Sequence, residues 1–346
     1  MPWTKIYSNK EEFEKAAAGS TLRGITYKEA ILEATSRMLE QDKSVFVIGE
    51  GVDDAGGVFG TTKNLHLKFG KDRVMDSPLA ENGITGIAIG AAISGMRPIL
   101  VHMRVDFLPL TLDQIINHAA KWHYMFGGKL SVPLVVRAII GRGWGSAAQH
   151  SQSLPSLFTN IPGLRVLMPA TPYDAKGLLR AAVYDGNPVI IIEHRWLYDH
   201  MGHVPEDDYT VPIGKGIVRR EGKDATVVGI SYMAYEAMRA AEALSKEGIE
   251  TEVIDPRTVK PLDMGLIIES VKKTGRLVIA DTGWKECSVG AEIVARIMEE
   301  SCGILKAPVV RVNLPETPTP ASPALEKAYY PGVDHIISAV KKTIQK

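Results

Sequence analysis

Residues 75–96 place one carboxylate, Glu81, ahead of a small, apolar, glycine-rich segment. Downstream, Ala148-Gln149-His150-Ser151-Gln152 sets a histidine in a polar loop. Carboxylate and imidazole are ordinary means of holding or moving a proton near neutral pH. The sequence offers no obvious phosphate-binding motif or metal-ligand cluster to accompany them. The combination is that of half a composite catalytic site, with a partner subunit supplying the other half.

Glu81 follows Pro78-Leu79-Ala80 and precedes Asn82-Gly83 at a strand-to-helix junction, where two readings are open. A carboxylate there can cap the helix, stabilised by unpaired amides and the dipole. Its neighbours, however, are nearly all Gly, Ala, Ile or Thr, and a charge buried among them needs a strong donor, which a bound heterocycle can provide. Gly83, Gly86 and Gly90 lack the strand-adjacent tight turn of a dinucleotide fingerprint and read more simply as permitting close helix packing, within the chain or across a subunit boundary. Met103 and Phe107 suit either the core or the face of a flat ligand. Asp106 reads as a surface or capping residue. His118 and His123, in a helical stretch, read as packing or surface residues and make no zinc cluster with His102.

His150 follows a glycine- and serine-rich run that starts at Gly141. A loop histidine on an α/β scaffold can reach the strand-end crevice, but no partner in the sequence supports a nucleophile triad. Asp185, beside Gly186, Asn187 and Pro188, offers oxygens to a hard cation; an ordinary helix-to-strand turn explains the same letters and is preferred on the residues alone.

The elements that must position these groups alternate. A capping-box spacing, Thr26 to Glu29, starts a helix near Tyr27. Strands are expected at 45–48, 73–75, 98–103, 134–140, 165–168 and 188–193, with helices at 62–69, 83–93, 112–125 and 175–184 between them. A second series follows, with strands at 226–230, 252–254, 277–280 and 309–312 and helices at 234–246, 264–272, 290–300 and 333–344. Apolar runs of four to seven residues separated by helical patterns indicate α/β architecture with two parallel-sheet-containing domains. The expected divisions are an N-terminal arm at 1–20, a first α/β domain at 21–200, a polar linker at 201–222 and a second α/β domain at 223–346.

At 346 residues the chain is long enough for two cores. With 40 acidic and 40 basic residues, 45% hydrophobic and 23% charged, it offers no charge bias toward nucleic acid or an anionic membrane. No stretch reaches the ~18 apolar residues of a membrane span, and the polar start lacks a signal-peptide core. Cys287 and Cys302 cannot build a disulfide framework. A cytoplasmic protein is the expectation.

From about residue 22 onward the chain resembles the beta subunit of the E1 component of 2-oxo acid dehydrogenases, the thiamine-diphosphate-dependent, transketolase-like enzymes of pyruvate, branched-chain and acetoin metabolism. The resemblance rests on Gly57-Val58-Phe59, residues 76–83, 113–121, 148–152, 169–179, 255–261 and 283–292, and Pro318-Thr319-Pro320. It implies a transketolase-type pyrimidine-binding domain followed by a transketolase C-terminal domain. It also implies thiamine diphosphate shared with an alpha subunit in a heterotetramer of two alpha and two beta chains. The alpha chain holds the diphosphate through magnesium (Mg2+) and a Gly-Asp-Gly motif that is absent here.

By the same resemblance, Glu81 contacts the pyrimidine nitrogen, Met103 and Phe107 line that ring, and His150 assists proton or acyl transfer. Asp185, Asn187 and the carbonyl of Ala182 match a structural potassium (K+) site. The implied reaction decarboxylates a 2-oxo acid and passes the acyl group to the lipoyl domain of a partner acyltransferase.

His102 and Arg104 depart from the family's usual Glu-Phe-Met-Thr-Phe-Asp-Phe strand end and put two potentially cationic groups near the cofactor edge; Trp144 and Trp196 add bulk. These residues point to the substrate channel and to a larger or acidic substrate. Two alternatives stay open: a split-chain transketolase-like or acyloin-forming enzyme with an aldehyde acceptor, and a noncatalytic scaffold.

Overall fold

The computed structural model describes residues 2–141 and 145–345. Their contacts divide them into two compact units, residues 1–140 with 160–213 and residues 141–159 with 214–346.

In the first unit α1 (Lys10–Ala16) precedes β1 (Gly24–Thr26), which pairs antiparallel with β8 (Met201–His203). Strands β2 (Val45–Gly49), β3 (Val74–Asp76), β4 (Arg97–His102), β5 (Val135–Ile140), β6 (Arg165–Leu167) and β7 (Val189–His194) run parallel in the order β6-β7-β5-β4-β2-β3. Every residue of β2, β5 and β7 is buried, which is why these strands read as continuous apolar runs rather than alternating ones. The polar exceptions inside are paired: Arg137 of β5 makes a two-pronged bond to Glu193 of β7, at 2.6 and 2.9 Å.

Helix α2 (Tyr27–Gln41) starts at a full capping box, in which Thr26 accepts from the Glu29 amide and Glu29 accepts from the Thr26 amide. Its buried stripe of Ala30, Ile31, Ala34, Met38 and Leu39 packs on α7 (Pro172–Val183), whose first-turn proline lacks only an amide that the helix would leave unpaired. Between them in sequence lie α3 (Leu65–Phe69), α4 (Glu81–Ile93) and α5 (Ala120–Met125), while α6 (Ser156–Thr159) counts with the second unit. The helix expected over 112–125 is split into a π-helical turn (Gln114–Ala119) and α5, and a 3-10 segment (Val105–Thr111) precedes it. Pro109 brings no amide to the 3-10 segment, and the π turn keeps Ile115 and Ala119 both buried.

The second unit holds β9 (Ile217–Arg220), β10 (Ala225–Gly229), β11 (Thr251–Asp255), β13 (Leu277–Trp284) and β14 (Val310–Leu314) in the order β14-β13-β10-β11-β9; a short strand, β12 (Thr258–Lys260), lies outside this sheet. Only β9 runs antiparallel. Its helices are α8 (Tyr232–Ser245), α9 (Met264–Thr274), α10 (Val289–Ser301), α11 (Pro323–Tyr329) and α12 (Val333–Ile344). Ala237, Ala241 and Leu244 of α8 share one core with Val227, Val253 and Val278 of the strands and Ile336 and Val340 of α12. Among the described residues no helix is long and apolar enough to cross a membrane, and both cysteines are free and exposed.

Candidate functional site

The strands of the first sheet are parallel, so their C-terminal ends share one edge, the place where open α/β sheets take ligands. Glu50 and Gly51 follow β2, Ser77 follows β3, Met103 and Arg104 follow β4, and Arg195 follows β7. Glu81 stands five residues after β3 as the first residue of α4. The capping position belongs to Ala80, and no side chain bonds the first amides of α4, so Glu81 is not the helix cap. Its carboxylate is partly exposed and makes no hydrogen bond or ion pair among the described residues.

The loop after β2 shapes the same edge of the sheet. Gly51, at φ 70°, donates its amide to Asp76 Oδ1 at 2.7 Å. A side chain at Gly51 would begin 3.1 Å from the Met103 methyl, so the glycine lets Met103 lie against the backbone. Met103 and Phe107 are both partly exposed. An acceptor without a partner, a thioether and an aromatic ring suit a flat, weakly basic heterocycle.

Glu50 was not singled out from the sequence. Its carboxyl is pushed above the ordinary range, first by burial and then by the charges of Glu81 and Asp76. The charges of Glu81 and Asp76 thus make Glu50 harder to ionise. The available signal was its position directly after a fully buried strand.

His102 corrects the expectation of two cationic groups. It ends β4 buried, with both ring nitrogens lacking a hydrogen-bond partner, and burial lowers its pKa to about 4. The imidazole is neutral at pH 7. Arg104 remains as the cation and lies over the Phe59 ring, where Arg195 joins it. Arg195 was not singled out from the sequence, and only the fold brings it to Phe59. Trp196, beside it, is partly exposed with its ring against His194.

His150 belongs with the second unit, exposed in a turn whose Ala147 has φ 56°. Trp144 lies outside the described residues. Ala182, Asp185 and Asn187 do come together after α7: the amide of Asp185 donates to the Ala182 carbonyl at 3.3 Å. The Asp185 carboxylate accepts from Arg165 and from the Asn187 amide, both at 2.7 Å. One oxygen of that turn is thus already neutralised by a guanidinium.

A family model described as the transketolase pyrimidine-binding domain matches residues 23–200, and one described as the transketolase C-terminal domain matches residues 214–336. The beta subunit of acetoin:2,6-dichlorophenolindophenol oxidoreductase from Cupriavidus necator is 46% identical, over 93% of this chain and 98% of that one. The 2-oxoisovalerate dehydrogenase beta subunit of Bacillus subtilis is 45% identical, over 92% and 98%. A pyruvate dehydrogenase E1 beta subunit of Rhizobium meliloti is 42% identical, over 95% of this chain and 72% of its own length. A solved structure named as a split-gene transketolase, an inactive beta4 tetramer, shares 25% identity and superposes with a TM-score of 0.75 over 93% of this chain and 99% of that one.

Proposed function

The chain belongs to the transketolase-like family of thiamine-diphosphate-dependent enzymes, among the beta subunits of 2-oxo acid and acetoin dehydrogenases, and from that premise we propose that it is the beta half of a heteromeric 2-oxo acid decarboxylating dehydrogenase. The observation that carries this reading is the carboxylate of Glu81 in the first turn of α4, partly exposed and without a hydrogen bond or ion pair among the described residues, in a sequence with no Gly-Asp-Gly motif.

In this reading Glu81 holds the ring nitrogen of the cofactor's aminopyrimidine, and Met103 and Phe107 cover its faces. The Glu81 carboxylate would supply the negative partner for a charge-assisted hydrogen bond to that nitrogen. Bound thiamine diphosphate supplies the carbon nucleophile and the electron sink for loss of carbon dioxide. Glu50, its carboxyl pushed up by burial and by the charges of Glu81 and Asp76, stands at the same edge. His150 is the candidate for proton or acyl transfer. The diphosphate and its magnesium fall to an alpha subunit, and the acyl group goes to a lipoyl-bearing acyltransferase.

Support for the partner comes from α4. Ile87 is 59% exposed, and among the described residues nothing beyond the helix's own backbone and the neighbouring residues lies within 4 Å of where a side chain at Gly83 or Gly90 would begin. Those glycines relieve no contact with another described element, as expected of a face that meets a second chain. A potassium ion at Ala182, Asp185 and Asn187 would share the Asp185 carboxylate with Arg165.

The test is decarboxylation of a 2-oxo acid panel by the chain co-purified with its alpha partner, with thiamine diphosphate and magnesium. Glu81→Gln should lower kcat by roughly 100-fold or more while the complex melts as the wild type does. Turnover that survives the substitution, or product that forms only with an aldehyde acceptor, would overturn the reading.

A further inference from the structure

Arg311 of β14 stands opposite Ile279 of β13, on the sheet face that α10 covers. A side chain at Gly290 of α10 would begin 3.1 Å from Ile279 Cγ2 and 3.6 Å from Arg311 Cδ. The stem of Arg311 therefore lies on the first turn of α10, whose cap, Ser288, accepts the Ala291 amide at 3.2 Å. Arg311 Nη1 donates to the Lys285 carbonyl at 2.8 Å, which fixes the guanidinium beside the chain that leads into that turn.

A cleft of about 620 Å³ opens between α10 and the chain entering β14. Lys285, Lys306 and Arg311 line it together with Val294, Met298 and Leu305, and no carboxylate is among the described residues of its wall. Its size is that of a site for a whole small molecule rather than for one ion.

The charges in this wall are uncompensated. The chain as a whole is balanced, with 40 basic and 40 acidic residues, and other cations of the same unit have partners. Arg219 pairs with Asp255, Arg220 with Glu250, and Lys273 with Glu221 and Glu252. Lys285, Lys306 and Arg311 form no ion pair among the described residues. The positive end of α10 adds to the field at Arg311.

The rest of the wall is apolar and uncovered. Val294 and Met298 stand one turn apart on α10, and Met298 is 47% exposed. Three cations call for an anion of more than one charge, and phosphate oxygens match both a guanidinium fork and an ammonium. The aliphatic and thioether surface beside them favours an anion with an apolar body over a bare one.

We propose that this cleft binds an organic polyphosphate of nucleotide size, its phosphates on Lys285, Lys306 and Arg311 and its body on Val294, Met298 and Leu305. The cleft belongs wholly to the second unit and shares no residue with the Glu81 edge.

The experiment titrates ADP, inorganic diphosphate and adenosine calorimetrically into the chain co-purified with its alpha partner and already saturated with thiamine diphosphate and magnesium. ADP should bind with a Kd of roughly 0.1 mM or tighter, at least fivefold more tightly than inorganic diphosphate or adenosine. Arg311→Gln and Lys306→Gln should each weaken ADP at least fivefold. Met298→Ser should weaken ADP and leave inorganic diphosphate unchanged. Lys306 and Met298 are exposed, so their variants should melt as the wild type does and keep the test valid whatever Arg311→Gln does to folding. Absence of ADP binding, equal binding of ADP and inorganic diphosphate, or an ADP affinity unchanged in the two cation variants would overturn the site. Each of these outcomes leaves the decarboxylase reading where it stands.

Discussion

His102 ends β4 with 2% of its surface exposed and its two ring nitrogens unbonded, so its charge state is set by the cost of desolvation alone. The unfolded chain takes up a proton near pH 6.5, whereas the folded one accepts it only near 4. Between those values the unfolded state binds more protons. The neutral ring's stabilisation is therefore fully present above pH 6.5 and is lost as pH falls toward 4, by on the order of 3 kcal/mol. His102→Phe, similar in shape and without a titrating group, should flatten that part of the curve. Urea midpoints of both proteins between pH 7.5 and 4.5 would check it, and parallel curves would refute the buried neutral ring. Glu81 shows the reverse logic. It stands at the open end of a helix, partly exposed and unbonded, and its chemistry waits on what binds there.

The strand ends decide where those side chains point. Gly49 closes β2 at φ 156°, and a side chain there would begin 2.2 Å from the Val101 carbonyl oxygen of β4. Its own carbonyl accepts the Ser77 amide at 3.1 Å, tying the end of β2 to the chain that leads into α4. Gly49→Ala must push β2 and β4 apart, at a cost of about 1–3 kcal/mol. It should displace Glu50 and weaken thiamine diphosphate binding by the assembled complex. Melting and cofactor titration measure the two effects, and a variant unchanged in both would show that the edge tolerates the separation. The turn at 195–198, after β7, is fixed in a like way: the Tyr198 amide donates to the Arg195 carbonyl at 3.1 Å, and its hydroxyl donates to Glu193, which Arg137 holds.

At the scale of the molecule, the first unit carries an acid edge, the sequence has no Gly-Asp-Gly motif, and α4 turns Gly83, Ile87 and Ile93 outward. Ile87 contributes little to the fold of its own chain, so Ile87→Lys should change its stability by no more than about 0.5 kcal/mol. Against a closely packed partner the same change buries an unpaired ammonium. The variant should fail to co-purify with the alpha subunit while melting like wild type. Normal co-purification would place the partner on another face.

Much of this was legible in the chain itself. The apolar runs at β2, β5 and β7 announced a sheet covered on both faces, and Thr26 with Glu29 announced the start of α2, because burial pattern and capping are local. Glu81 was conspicuous as a charge beside glycines, and its segment, with the ordered series of motifs, pointed to the family. Three features were not legible: the neutrality of His102, the coupling of Glu50 to Glu81, and the meeting of Phe59 with Arg104 and Arg195. Each depends on groups tens of residues apart, or on how much water the fold excludes. Local sequence determines which elements form and which face they bury, whereas charge state and convergence of side chains follow from distance and desolvation, which exist only once the sheet has brought its strand ends to a common edge.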